Sequence, residues 1–241
     1  MRREAFETAL GGAINGMLAE YVTLSAEGVI ALPPHLSFEE GATLPCAAVT
    51  AWHALVTDGK IAAGQTVLVL GTGGVSIFAL QFAKMHGARV IITSSSDEKL
   101  VRARSLGADE TINYRTHPDW EKEVFRLTDK VRVDHIIEVG GKDTFPKSLH
   151  AVAMGGTISV IGGVSGFTSG VALRDILGKS ALIHGIFVGS RDMFAAMNRA
   201  ISLHKLKPVM DRCFPFGEAP AAYRHQETGA HFGKIVVSAA P

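Results

Sequence analysis

The sequence predicts an α/β fold built on a doubly wound parallel sheet, and three observations carry that expectation. An apolar run, Val67 to Leu70, breaks into Gly71-Thr72-Gly73-Gly74 and resumes at helical spacing as Val75, Phe78, Ala79 and Phe82. Downstream, strand-like and helix-like segments alternate with a short period. Turn residues punctuate the alternation, with Gly107 closing one helical segment and Pro118 starting another.

The first run is too short for a helix and reads as a buried parallel strand. The glycines then occupy a strand-to-helix turn. Gly71 permits the tight bend, Gly73 lets the backbone approach a pyrophosphate without a Cβ in the way, and free N–H groups at the helix start attract the anion. Thr72, Gly74 and Val75 complete the cradle. Ser76 stands where such a fingerprint usually has Gly or Ala, and is small enough for close helix-on-strand packing. A bare fingerprint also fits an ordinary strand-turn-helix with no nucleotide, so the context decides.

The remaining elements follow in order. Arg89 to Thr93 reads as the second strand, Asp97 to Leu106 as a helix, Glu110 to Asn113 as the third strand and Asp119 to Leu127 as a helix. Asp134 to Glu138, Thr157 to Ile161 and Ala181 to Val188 supply three further strands, with helices around Asp143 to Val152 and Arg174 to Lys179. Six strands suit a complete dinucleotide-binding (Rossmann) sheet in the order 3-2-1-4-5-6. A helix at Asp192 to His204 places Phe194, Met197 and Ile201 on one core-facing stripe. Leu18 to Leu24, Val29 to Leu32, Val209 to Phe216 and Lys234 to Ser238 read as strands outside that sheet, which suggests a second unit built from both termini.

Composition narrows the classes. The chain has 241 residues, 47% hydrophobic and 20% charged, enough for one full α/β domain and more. A net charge of +1 gives no global field for nucleic acid or an anionic membrane. Cys46 and Cys213 stand far apart, which excludes a disulfide framework and suits a reducing compartment. No run approaches a membrane span and the first residues lack an apolar leader core, so a cytoplasmic location is expected.

The second strand ends at Thr93-Ser94-Ser95-Ser96, where an NAD-preferring site would place a carboxylate for the ribose 2′-hydroxyl. Ser94 holds that position, and three hydroxyls followed by Lys99 offer donors and positive charge to a 2′-phosphate. NADP(H) is therefore expected over NAD(H). Ser96 also reads as the N-cap of the helix at Asp97, with Lys99 solvated on its face; both readings can hold together.

Several separated motifs occur together in one order: AEYV (Ala19 to Val22), LPCAAVTAW, GTGGVS, LGADETINY (Leu106 to Tyr114), GGTISVIGG and HFGKIVVS. With them the chain resembles the medium-chain dehydrogenase/reductase superfamily, and most of all its zinc-free, quinone-reductase-like branch. The resemblance implies an NADP(H)-dependent oxidoreductase that moves hydride between nicotinamide and a small carbonyl, enone, quinone or alcohol without catalytic zinc. It implies three parts: residues 1–45 as a remnant of a barrel-like catalytic domain, 46–205 as the Rossmann domain, and 206–241 as a return to the catalytic domain. Most of the barrel is expected to be absent.

The resemblance also places residues. Tyr114, after Asn113, would flank the adenosine end. Thr50 and the strand ends Val139-Gly140, Ile161-Gly162 and Ile186-Phe187-Val188 would surround the nicotinamide, with Val139 and Ile161 as apolar walls and Lys234 near the pyrophosphate. Val and Ile at strand ends equally suit plain core packing. Cys46 falls where zinc members carry a ligand, but one thiolate cannot form a three-ligand site, so no metal is expected and Cys46 reads as a buried small hydrophobe. His53, one turn after Thr50, could relay a proton, but no partner carboxylate or second histidine is recognisable nearby, which favours a structural role. A homodimer through the strand at 181–188 is implied. A competing reading is a truncated NADPH-binding remnant or sensor with little turnover. A methyltransferase on the same sheet is disfavoured by the flanking dehydrogenase-like motifs.

Overall fold

In a computed structural model that describes residues 7–239, the six expected strands of the central sheet form one parallel sheet. Its strands are β1 (Thr66–Val69), β2 (Arg89–Ser94), β3 (Glu110–Asn113), β4 (Val133–Glu138), β5 (Val152–Val160) and β6 (Leu182–Gly185), in the order β3-β2-β1-β4-β5-β6. The helices are α1 (Phe38–Ala42), α2 (Val49–Trp52), α3 (Gly74–Met85), α4 (Asp97–Ser105), α5 (Trp120–Leu127), α6 (Phe145–Ala151), α7 (Leu173–Leu177), α8 (Arg191–His204) and α9 (Ala219–Glu227). Val67 pairs with Val90 of β2 and with His135 of β4, so β1 is hydrogen-bonded on both edges.

The alternation of side chains along each strand splits the core in two. Val67 and Val69 face a cluster with Ile77, Phe78 and Phe82 of α3 and Met197 and Ile201 of α8, while Leu68 and Leu70 face Trp120, Val124 and Leu149 on the other side. Burial on both faces is why Val67 to Leu70 reads as an unbroken apolar run. The stripe on α8 packs as expected, with Met197 and Ile201 fully buried and Phe194 partly so. Ser76 is buried, and its hydroxyl donates to the Leu70 carbonyl at 2.7 Å. That bond pins α3 to the end of β1, which a Gly or Ala there would not do.

The termini depart from expectation. β7 (Met210–Pro215) and β8 (Lys234–Ser238) form a separate two-stranded parallel sheet, as their patterns suggest. Leu18 to Leu24 and Val29 to Leu32 are not strands; residues 18–28 are exposed and unladdered. Their aromatic, β-branched and apolar residues suit a pleated surface, but a strand forms only where a neighbour completes the ladder, and among the described residues none does. Among the described residues, the two-stranded sheet outside the central one is formed by the C-terminal strands alone. Residues 1–6 and 240–241 of the expected terminal units lie outside the described residues. No described helix is long and apolar enough to cross a membrane.

Candidate functional site

The glycine turn opens at the carboxyl ends of β1 and β2. Gly71 adopts φ +73°, the left-handed conformation that glycine takes without strain. Its N–H donates to Thr93 Oγ1 at 3.2 Å, which ties the two strand ends together. Gly73 is the N-cap of α3, and no side chain caps that helix start. A Cβ on Gly73 would meet nothing within 4 Å, whereas one on Gly74 would lie 2.7 Å from Lys234 Cδ and 3.2 Å from Ala47 Cβ. The stem of Lys234 therefore lies across the first turn of α3. The Gly233 N–H donates to the Thr72 carbonyl at 3.0 Å, so the segment before β8 is stitched onto the turn.

A cleft of about 340 Å³ lies in front of this turn. It is walled by Gly71, Thr72, Gly73, Gly74 and Val75 on one side and by Ser94, Ser95 and Lys99 on another, with Tyr114 and Val139 at its margin. The Ser94 hydroxyl accepts the Ser96 N–H at 3.3 Å, and the Ser96 hydroxyl accepts the Lys99 N–H at 3.3 Å. Ser96 is the N-cap of α4 and does not line the cleft. Lys99 Nζ donates to the Gly229 carbonyl at 2.6 Å, and burial, opposed by Asp211, pushes its ammonium below the usual lysine range. Asn113 also stays out of the cleft: its amide donates to Asp97 Oδ1 at 2.7 Å and its Oδ1 accepts the Arg115 N–H at 3.0 Å. Gly229 and His231 complete the wall. Both were missed in the sequence, although His231 stands in the quoted HFGK motif.

Tyr114 and Val139 are shared with a second hollow of about 470 Å³, whose other walls include Leu70, Trp120, Gly140 and Lys147. The loop between β4 and α6 that forms one side is held by Glu138. This carboxylate is fully buried and accepts the Gly140 N–H at 2.8 Å, the Gly141 N–H at 3.0 Å, the Thr144 hydroxyl at 2.6 Å and the Ser148 hydroxyl. The Gly140 N–H thus serves the loop rather than the crevice. Gly162 meets the same loop closely: a Cβ there would lie 2.9 Å from the Val139 carbonyl oxygen. Ile161 is partly buried against the larger core.

A third hollow, of about 620 Å³, is lined in part by residues 28–32, Cys46, Val49 and Val188, the last of these beyond the carboxyl end of β6. Thr50 is buried within α2 and does not line it. Ile186 is buried, Phe187 is half exposed, and Val188 sits at φ +53°, a conformation costly for a β-branched residue. Cys46 is exposed, not buried as expected, because Pro45 and Cys46 (φ +64°) form a kink that turns the thiol outward from the helical run. His53 has the partners that the sequence did not reveal. Its Nδ1 lies 2.7 Å from the Val188 carbonyl, and its Nε2 lies 3.4 Å from Asp58 Oδ2, which is also 3.4 Å from His184 Nδ1. A π-helical turn over His53–Asp58 places the carboxylate there, a spacing that α-helical periodicity does not display. Among the described residues no group of three or more His, Cys, Asp or Glu could hold a metal ion.

A sheet in this order, with a glycine turn opening on a cleft at the strand ends, defines a dinucleotide-binding α/β fold. The family model for zinc-binding dehydrogenases matches residues 74–202. The zinc-type alcohol dehydrogenase-like protein C1773.06c of Schizosaccharomyces pombe is 47% identical over 97% of this chain and 69% of its own length. Among solved structures, an NAD-dependent alcohol dehydrogenase is 38% identical, with a TM-score of 0.89 over 96% of this chain and 67% of that one. The 2-octenoyl-CoA carboxylase reductase CinF, solved with NADP and 2-octenoyl-CoA, is 29% identical, with a TM-score of 0.84 over 92% of this chain and 54% of that one. The chain belongs to the zinc-binding dehydrogenase family of the medium-chain dehydrogenase/reductase superfamily, and it spans about two thirds of the length of its first-matched relatives.

Proposed function

We propose that this chain binds NADP(H) and acts as an oxidoreductase that moves hydride between nicotinamide and a small carbonyl, enone, quinone or alcohol. The observation that carries the reading is the end of β2, where Ser94, Ser95 and Lys99 line the cleft and no carboxylate stands among them. An NAD-selective site needs an acceptor there, while these side chains offer donors and a cation. The cleft fits the rest of the ligand as well. Gly73 leaves open the space a Cβ would fill, and the uncapped start of α3 attracts a pyrophosphate.

Gly71 to Val75 and Lys234 hold the pyrophosphate, while Ser94, Ser95 and Lys99 hold the 2′-phosphate, with Ser96 fixing the turn that presents them. Tyr114 and the apolar second hollow take the adenosine. Val139, Ile161 and residues 186–188 wall the nicotinamide side, with Gly140 and Gly162 allowing the strand ends to close together. When bound, the cofactor would supply the hydride, and these residues would orient it. Among the described residues no group of three or more His, Cys, Asp or Glu could hold a zinc ion, and this reading assigns none of them to a metal. His53 positions the Val188 carbonyl in this reading.

The test is cofactor titration with NADPH and NADH, followed by turnover on a panel of quinones and enones. NADPH should bind more tightly, and Lys99→Glu should erase the difference by weakening NADPH on the order of tenfold, the contribution of one charge-assisted bond. Equal affinities in the unmodified chain would sink the NADP(H) reading. NADPH binding without turnover on any acceptor would mean a nucleotide-binding sensor.

We also infer a homodimer through β6, one of the two edge strands of the central sheet, whose Leu182 is half exposed. Light scattering at micromolar concentration should give twice the chain mass; a monomer rejects the interface.

A further inference from the structure

The loop that closes the cleft from the C-terminal side carries a histidine whose ring is incompletely satisfied. His231 is half-buried and lines the cleft beside Ser94, Ser95 and Lys99. Its Nδ1 is buried and has no hydrogen-bond partner, which is costly for a polar atom. The loop around it is anchored on both sides. Lys99 Nζ donates to the Gly229 carbonyl at 2.6 Å, the Phe232 N–H donates to Asp211 Oδ1 at 3.0 Å, and the Gly233 N–H donates to the Thr72 carbonyl at 3.0 Å. Arg102 stacks 4.2 Å over the Phe232 ring. The ring of His231 is therefore held at the cleft by its backbone and not by a partner of its own.

Its charged neighbours are Lys99, Asp211, His225 and Lys234. Burial, then the Lys99 ammonium, holds the imidazole below the ordinary histidine range; Asp211 opposes this, while His225 and Lys234 add to it. Asp211 is already engaged by His225 Nε2 at 2.8 Å. Without a ligand, the surroundings thus favour the neutral ring. An anion in the cleft reverses that balance, because it offsets the Lys99 charge and accepts a charge-assisted bond from an imidazolium.

We propose that His231 is a second reader of the cofactor's 2′-phosphate, taking up a proton from solvent as the phosphate dianion enters beside Lys99. This rests on the NADP(H) reading above and deepens it: discrimination against the unphosphorylated cofactor becomes pH-dependent. The sign follows from the protonation. Preference for the phosphorylated ligand is greatest where His231 can be charged in the complex, and declines as pH rises past that point.

The experiment uses the full chain with adenosine 2′,5′-bisphosphate and, as control, adenosine 5′-monophosphate, which lacks only the 2′-phosphate. Calorimetry in buffers of different ionisation enthalpy should show proton uptake with the bisphosphate and none with the monophosphate at about pH 7.5, where an ordinary histidine is mostly neutral. Between about pH 6.5 and about pH 8.5 the preference should fall roughly tenfold, the worth of one charge-assisted bond. In His231→Gln the preference should be lower at the acid end and nearly flat with pH. The His231 ring signal of the unmodified protein should move toward the imidazolium position with the bisphosphate only, a readout that does not need the variant to fold.

An unchanged pH slope in His231→Gln, or a ring signal that does not move, overturns the role of His231 while leaving the NADP(H) reading intact. An unmodified protein with no preference for the bisphosphate at any pH overturns both.

Discussion

A Gly73→Val chain is expected to fold like the unmodified protein and to lose dinucleotide affinity by on the order of 100-fold, the equivalent of about 3 kcal/mol of charge-assisted bonds. The fold should tolerate the change because Gly73 has φ −77° and ψ −175°, an extended conformation that suits a β-branched residue. An added Cβ meets nothing within 4 Å, so no core contact is disturbed. The same open space belongs to the cleft, and side-chain carbons there keep a pyrophosphate from the first N–H groups of α3. The two measurements are a melting temperature and a fluorescence titration with NADPH. An unchanged affinity would remove the phosphate from this turn.

Glu138→Ala should have the largest effect on stability. The buried carboxylate accepts from two backbone N–H groups and two hydroxyls, and its loss leaves all four donors without that acceptor. The expected cost is roughly 3–5 kcal/mol, in the range for breaking a buried polar network. For a chain of this size that lowers the melting temperature by about 10 °C. Glu138→Gln should cost only about 1 kcal/mol, because the amide oxygen still serves one side and the Ser148 hydroxyl can turn to accept from the amide. If calorimetry finds the alanine variant as stable as the parent, Glu138 does not hold the loop. Both hollows share Val139 from that loop, so loosening it should weaken cofactor binding as well.

The parts of the molecule legible in the sequence share one property: their neighbours impose the same pattern that their own residues display. β1, β2 and β4 are covered on both faces, and burial fills their centres with apolar residues, Val67–Val69, Val90–Ile92 and Ile136–Ile137. The order of the sheet follows from alternation and the glycine turn. β6 is shorter than Ala181 to Val188 suggests, because the chain leaves the ladder after Gly185 and turns left-handed at Val188. Apolar composition gives no warning of that turn. Ser94 and Lys99 could be found because they stand beside the strand end that carries the fingerprint's partner. The loop contacts of Glu138 and the place of His231 in the cleft wall were hidden for different reasons. Glu138 looks like the last residue of an ordinary strand until its loop folds back on it, and His231 approaches the cleft only through long-range anchors to Lys99, Asp211 and Thr72. The pairing of His53 with Asp58 depends on a π-helical turn, which no local pattern announces.

The stitch between Thr72 and Gly233 has a consequence for biosynthesis. The glycine turn and its strand emerge from the ribosome long before the segment that completes the cleft, and domains begin to assemble while the chain is still being made. The parallel sheet can assemble on the nascent chain as its strands appear, but the wall that carries His231 and Lys234 arrives only with β8. A nascent chain therefore passes through a period in which its core is built and its nucleotide cradle is still open on one side. Under the proposed function, cofactor capture and the stabilisation that binding brings by mass action follow the synthesis of residues 229–234.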